Sequence, residues 1–184
     1  NTAASFYLSA REIHREILSW HAFIDSRNTC DGFIKRLRDM EYIRAMETYQ
    51  QAGAYYVRIQ SMAKKHHITL RQEFDEHDTP DTKYIVVLDE GFPVATARIY
   101  ELDTSSMMID RVVVLPEYRH HGIGSKVVKE CEKWIKELGY DKAVLESRDN
   151  KTAFYENLGY VKTGDAYIDG DTFRCIRMEK LLEK

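Results

Sequence analysis

One stretch constrains this chain more than any other: Val112-Val113-Val114-Leu115-Pro116-Glu117-Tyr118-Arg119-His120-His121-Gly122-Ile123-Gly124-Ser125. An apolar run of strand character stops at a proline, and a charged turn carries two glycines into an amphipathic helix. On that helix Ile123, Val127, Val128, Cys131, Ile135 and Leu138 recur at helical spacing, and Gly139 marks the stop. A strand feeding a helix through such a turn is the unit of an α/β domain. It is also a device for holding phosphate. The first-turn amides have no intrahelical acceptor, the helix dipole favours negative charge, and glycines let a ligand approach the backbone.

Spacing decides which phosphate ligand. The loop of nucleoside triphosphatases needs Gly-x4-Gly-Lys-Ser/Thr, and the chain has no Gly-Lys pair. The dinucleotide fingerprint needs Gly-x-Gly-x-x-Gly directly after the strand. Gly122 and Gly124 fill two positions, but Val127 stands at the third, and a Pro-Glu-Tyr-Arg turn separates the glycines from the strand. Neither motif fits.

The segment resembles the acetyl-CoA-binding motif of the GNAT superfamily of N-acetyltransferases, Arg/Gln-x-x-Gly-x-Gly/Ala after a strand ending in Val-x-Pro. Arg119, Gly122 and Gly124 occupy the motif positions, with Val112, Val114 and Pro116 at the strand end. The resemblance implies that amides across Arg119, His120, His121, Gly122, Ile123, Gly124 and Ser125 bind the coenzyme pyrophosphate. It further implies that Val112 and Val114 pair with the pantetheine arm like an added strand, and that the amide of Val113 or Val114 serves as oxyanion donor. Downstream, Phe154-Tyr155-Glu156-Asn157-Leu158-Gly159-Tyr160 is similar to the family's "FYEKLGF" string. In the family the tyrosine at the position of Tyr155 often protonates the departing thiolate. A placed general acid of this kind is worth about 10²–10⁴-fold.

The chain also departs from the pattern. Three positions before Phe154 the family has a small residue, and six before it Asn or Gln; this chain has Lys151 and Arg148. The coenzyme contact usually made by that amide falls to Asn150, Arg148 or Lys151. A narrower likeness, to a bacterial GNAT branch of poorly defined substrates, lies in Glu73-Phe74-Asp75-Glu76-His77-Asp78 and Arg177-Met178-Glu179-Lys180. That branch carries Val-Phe-x-x-Glu-Gln on its first helix, whereas residues 62–67 here read Met-Ala-Lys-Lys-His-His. Its substrates do not transfer.

Along the chain, Ser9 and Glu12 form a capping-box pattern ahead of Ile13, Ile17, Leu18, His21 and Ile24. Asp31 caps a second expected helix through Phe33, Ile34, Leu37, Met40, Ile43 and Met46 to Gly53. These predict a helical extension over residues 1–53, most simply a hairpin packed on the sheet or on a second copy, hence a possible homodimer. A catalytic domain then covers 54–184, with strands at Tyr55–Ile59, Lys83–Leu88, Pro93–Glu101, Ser106–Leu115 and Lys142–Ser147, and a closing hairpin around Asp169-Gly170-Asp171. The expected fold class is α/β (α+β), a GNAT-like mixed, mostly antiparallel sheet flanked by helices.

Composition limits the partners. The formal charge is −3, with 27 basic and 30 acidic residues intermixed, so no nucleic-acid surface is expected. Apolar runs are too short to span a bilayer. Three scattered cysteines, Cys30, Cys131 and Cys175, fit a reducing cytoplasm. The pairs His66-His67 and His120-His121 lack a completing Cys or carboxylate at ligand spacing, so no metal is expected.

The function expected is direct transfer of an acetyl group from acetyl-CoA to a small-molecule or peptide amine in a ternary complex. No cysteine is placed for a covalent intermediate. The amine must lose a proton, and strand-end acids are the candidate bases: Asp110, on the face of Val112 and Val114 by period-two alternation, and Glu146, with Glu101 and Asp103 behind them. The alternative is a non-catalytic acyl-CoA-binding module whose helical front mediates assembly.

Overall fold

The computed structural model describes Gly32, residues 39–169 and residues 173–183. The helix expected after Ser9, and most of the one expected after Asp31, lie outside the described residues. The chain divides between Met40 and Glu41 into two compact units; the fold below is that of the second.

Eight strands form one sheet in the order β1-β2-β3-β4-β5-β8-β6, with β7 also paired to β8. They are β1 (Glu41–Arg44), β2 (Lys83–Asp89), β3 (Phe92–Glu101), β4 (Ser106–Val114), β5 (Lys142–Arg148), β6 (Val161–Lys162), β7 (Tyr167–Asp169) and β8 (Phe173–Leu181). Every pairing is antiparallel except β4 with β5. The β2–β3 turn uses Glu90 and Gly91, both with positive φ (51° and 82°), the backbone a two-residue hairpin demands.

Helix α3 (Ile123–Glu137) lies on one face of the sheet, with Val127, Val128, Cys131 and Ile135 fully buried. Opposite stand Ile85, Ala95, Ala97, Ile99, Met107, Ile109, Ala143 and Leu145, also buried. Each large side chain in such a layer contributes about 1.5–3 kcal/mol. We call this the back face.

The front face carries helix α1 (Thr48–Arg58), and here the sequence expectations need correction. Residues 55–58 of the expected strand Tyr55–Ile59 are helical, and the boundary expected at Gly53 falls inside α1. The helix is opened by Gln50, whose Oε1 accepts from the amides of Met46 and Glu47 at 2.8 and 2.9 Å. Its buried side is Ala54, Val57, Arg58 and then Ser61, an i, i+3, i+4, i+7 pattern. Arg58 in the middle of that stripe disguised it. Residues 41–44, expected to be helical, instead pair with the outer edge of β2, Glu41↔Leu88 through Arg44↔Ile85. That edge supplies hydrogen bonds that outweigh local preference.

After α1 the backbone continues as a π-helical turn, Ile59–Ala63, and a short helical turn, Lys64–His66, ended by left-handed His67 (φ 55°). Helix α2 (Leu70–Glu73) follows, capped by Thr69, whose side chain accepts from the Gln72 amide. Helix α4 (Thr152–Glu156) follows β5.

One irregularity in β4 matters for the site. Thr96 pairs with Val113 but Arg98 with Asp110, so β4 carries one extra residue, and Arg111 takes φ 49°. This bulge overturns the alternation drawn from Asp110 to Val112 and Val114. Paired residues share a face, so Asp110 faces front with Arg98, and Val113 faces front with Thr96. Val112 and Val114 face back.

Candidate functional site

Strands β4 and β5 are joined at one end only. Their pairs are Ser106↔Lys142, Met107↔Ala143 and Met108↔Val144, and pairing then stops. Both strands continue, β4 to Val114 and β5 to Arg148, each still held on its other side, Ala95↔Val114 and Arg148↔Cys175. The edges that face each other, 109–114 and 145–148, are therefore open in mid-sheet. Backbone donors and acceptors in such a place need a partner, and an extended chain entering between the strands supplies one as an added strand does.

The glycine turn stands at the mouth of this opening. Pro116–Tyr118 forms a single 3₁₀ turn. Arg119 folds back so that its Nε donates to the Val114 carbonyl at 2.9 Å. His120 (φ 66°) and Gly122 (φ 78°) are both left-handed, and Gly122 caps α3, its carbonyl accepting from the Lys126 amide at 3.1 Å. The amides of Ile123, Gly124 and Ser125 precede the first intrahelical acceptor. His120, His121 and Gly122 are exposed, while the Ile123 side chain is buried in the core. A Cβ added at Gly124 would meet Phe154 Cζ at 3.5 Å and Val114 Cγ2 at 3.7 Å, ordinary contact. Packing does not require glycine there.

Tyr155 sits on α4 with its ring edge-on to Phe154 (4.8 Å) and Tyr160 (6.0 Å). Burial pushes the Tyr155 hydroxyl pKa up, Arg148 pulls it down, and Cys131 and Asp110 add to the rise. The hydroxyl is thus within electrostatic reach of both diverging strands. It stays protonated at neutral pH, as a proton donor must. Glu146 is exposed on β5 and faces front, opposite Arg177 on β8. Asn150 is exposed in a 3₁₀ turn, Asp149–Lys151. Among the described residues no group of three or more His, Cys, Asp or Glu is placed to hold a metal.

Asp110 has a structural engagement that sequence reasoning missed. It accepts from Arg98 Nε at 2.8 Å and Nη2 at 2.6 Å. Arg98, 1% exposed, also binds Asp75 at 2.6 and 2.8 Å and Asp78 at 2.9 Å. Arg58, wholly buried, donates to Glu73 Oε1 (2.8 Å), Asp78 Oδ1 (2.5 Å), Tyr84 (2.8 Å) and the Glu73 carbonyl (2.5 Å). Tyr84 donates to Asp78, and Arg111 pairs with Asp75 at 2.9 Å. Burial alone would raise the Asp75 and Asp78 carboxyls. The hydrogen bonds from Arg98 to Asp75, and from Arg58 to Asp78, outweigh it and hold both below the usual carboxylate range. The Glu-Phe-Asp-Glu-His-Asp string of residues 73–78 is thereby a scaffold element, tying α2 and the loop after it to the front of β2, β3 and β4.

Beside it lies a second arginine environment. Arg148, at the free end of β5, stacks its guanidinium over Phe173 at 3.5 Å and points Nη2 at Met62 Sδ, 3.6 Å away. Phe173 is met edge-on by His66 at 5.3 Å. The π-helical turn brings Met62 and His66 here, a use such turns often have. Burial lowers the His66 pKa, and the charges of Arg148, Lys65 and Arg119 lower it further. Arg148 shows as an oddity in the sequence, standing where an amide is usual; Phe173 and Met62 carry no local signal.

The mixed sheet, with two parallel strands that part company beside a glycine-capped helix, matches the fold of solved acetyltransferase-family structures. The chain belongs to the Acetyltransferase (GNAT) family, which it matches over residues 35–160. It is 30% identical over 115 residues to an uncharacterised acetyltransferase of Streptococcus pyogenes, covering 62% of this chain and 78% of that protein. It is 28% identical to a provisionally assigned N-acetyltransferase of Lactobacillus plantarum whose crystal structure superposes with a TM-score of 0.74, over 78% of this chain and 99% of that one. A GNAT family acetyltransferase from Elizabethkingia anophelis, solved with acetyl-CoA bound, shares the fold at 14% identity with a TM-score of 0.57, over 78% of this chain and 97% of that one.

Proposed function

We propose that the chain is an acetyl-CoA-dependent N-acetyltransferase that transfers the acetyl group directly to an amine, of a small molecule or a peptide. The observation that carries this reading is the open pair of strand edges, 109–114 against 145–148, ending at the N-terminus of α3. A phosphate fits the free amides of Ile123, Gly124 and Ser125, and an extended amide-bearing arm fits the edge of β4. Arg119 must release the Val114 carbonyl for that edge to be read in full. When bound, acetyl-CoA would supply the activated acyl group; the chain's own groups do the rest. The Val113 or Val114 amide stabilises negative charge at the acyl oxygen. Tyr155 holds a proton for the departing sulfur. Glu146, exposed and free to accept, takes the amine proton directly or through water. Asp110, bound twice by Arg98, is assigned to positioning the bulge.

Cys131 and Cys175 are buried, and on the scattered cysteine pattern we place the protein in the cytoplasm. No helix of the described residues is long and apolar enough to cross a membrane.

The test is calorimetric binding of acetyl-CoA, followed by thiol release across an amine panel. Tyr155→Phe should keep coenzyme affinity and lose at least about tenfold in kcat, the low end of general-acid contributions. Unchanged turnover removes Tyr155 from the reaction. Binding without turnover of any amine favours a regulatory module, and no binding sinks the reading.

A further inference from the structure

We propose that Arg148 is an acceptor-binding residue, and that the amine acetylated by this protein carries a carboxylate close to its amino group, as an amino acid does. This rests on the transferase reading above. It names the acceptor that the front of the site would select.

A guanidinium has five N–H donors and no acceptor. Those of Arg58 and Arg98 are taken up by carboxylates and by Tyr84. Arg148 has a ring on one flat face and a single thioether as its hydrogen-bond partner. Among the described residues it makes no ion pair. Glu73 is a carboxylate within electrostatic reach of it, and Glu73 Oε1 is held by Arg58. A planar cation fixed on its face, with most of its edge donors unmet among the described residues, is the arrangement that binds a carboxylate in a forked pair. The surroundings add to the demand for an anion, because beyond burial the charges of Arg148, Lys65, Arg119 and His67 are near enough to depress the His66 pKa.

Position on the front face points the anion to the acceptor; Arg119, from the glycine turn, is also within electrostatic reach of Arg148, so the coenzyme-affinity arm of the test separates the two. Arg148 faces front with Glu146, because alternate residues of β5 share a face. It packs on Met62, from the turn after α1. The phosphate-holding amides belong to α3, which lies across the sheet on the back. Glu146 and Arg148 are two residues apart on one strand face, about 6.6 Å along the chain. An amine directed to Glu146 and a carboxylate directed to Arg148 are then separated by only a few bonds. Tyr155 lies within electrostatic reach of Arg148, which places the acidic end of the acceptor beside the proton donor.

The experiment uses the full chain and matched acceptor pairs, amino acids against their amides (glycine and glycinamide, and so through the set), with thiol release as the readout. The comparison is the acid-to-amide ratio of kcat/KM in the wild type against Arg148→Gln, which cancels the intrinsic reactivity of each amine. We expect one or more acids to be preferred in the wild type. Arg148→Gln should raise the KM for that acid at least about tenfold, the scale of one charged hydrogen bond. It should leave acetyl-CoA affinity by calorimetry within about twofold, and Arg148→Lys should restore part of the preference. Should no acceptor turn over, the His66 imidazole resonances report binding instead. Adding the amino acid to the acetyl-CoA complex should raise the His66 pKa in the wild type and not in Arg148→Gln.

Three results overturn the proposal. One is a wild type that prefers no acid over its amide and shows no acid-dependent His66 shift. Another is an Arg148→Gln protein with an unchanged acid-to-amide ratio. The last is an Arg148→Gln protein that loses acetyl-CoA affinity tenfold, which would make Arg148 a coenzyme phosphate contact. Failure of the transferase reading is distinguishable, because there the wild type itself either does not bind acetyl-CoA or binds it and turns over no amine, acid or amide.

Discussion

Two arginine environments lie side by side on the front of the sheet, and they are built on opposite rules. In the first, three guanidiniums (Arg58, Arg98, Arg111) meet four carboxylates (Glu73, Asp75, Asp78, Asp110). Arg58 and Arg98 are shut from solvent with their donors engaged. In the second, Arg148 is half-buried and meets an aromatic ring and a sulfur. Burying a charge is costly unless it is paired. The saturated arginines have met that cost within the fold, and the unsaturated one is left to a ligand. The first set fixes the backbone bulge in β4; the second faces the open strand edges.

The comparison breaks most visibly if Arg98 is replaced. Arg98→Met leaves Asp75 and Asp110 without their shared partner, and removing one member of a buried ionic set costs about 3–5 kcal/mol. We expect urea unfolding of this variant to fall by that amount. A loss under about 1 kcal/mol would mean that the network does not hold the front together. The same set predicts sensitivity to acid. Asp75 and Asp78 titrate below the ordinary carboxylate value when folded. Their contribution is thus fully present above pH about 4 and is lost as the pH falls from there through their folded values. Unfolding midpoints at pH 6 and pH 3 should diverge, and Asp75→Asn should narrow the gap.

The opposite outcome is expected of Arg148. Its fold contribution is a stacking contact on Phe173, worth about 1 kcal/mol or less at a partly exposed site. Arg148→Gln should unfold within that margin of the wild type. Equal losses at Arg98 and Arg148 would erase the distinction between the two environments.

The back of the molecule was legible in the sequence and the front was not. Helix α3 shows a period of 3.6 because it has one apolar face and one partner layer, and strands β2 to β5 show as apolar runs because much of both faces is covered, so burial writes itself into residue type. The glycine turn was legible because its left-handed cap restricts residue choice at Gly122. On the front, α1 buries Arg58 where its stripe should be apolar. The bulge at Arg111 shifts Asp110 to a different face from the one that alternation gives. The π-helical turn moves Met62 and His66 off helical spacing. Each of these depends on partners far away in sequence, such as Arg58 with Tyr84 or Arg148 with Phe173, and no local pattern records them.

The glycine turn allows structure and function to be separated at one residue. Gly124 lies in the first turn of α3, and glycine there costs the helix about 0.5–1 kcal/mol relative to alanine. The protein has room for the methyl, since its nearest neighbours would be 3.5 and 3.7 Å away. Gly124→Ala is therefore expected to leave stability unchanged or raise it by up to about 1 kcal/mol. If the amides of α3 hold the coenzyme pyrophosphate, the same methyl stands where the ligand must approach the backbone, and acetyl-CoA affinity should fall. Unfolding and calorimetry on one variant would then move in opposite directions. A fall in both would mean that Gly124 serves packing after all. A rise in stability with unchanged affinity would move the phosphate away from this turn.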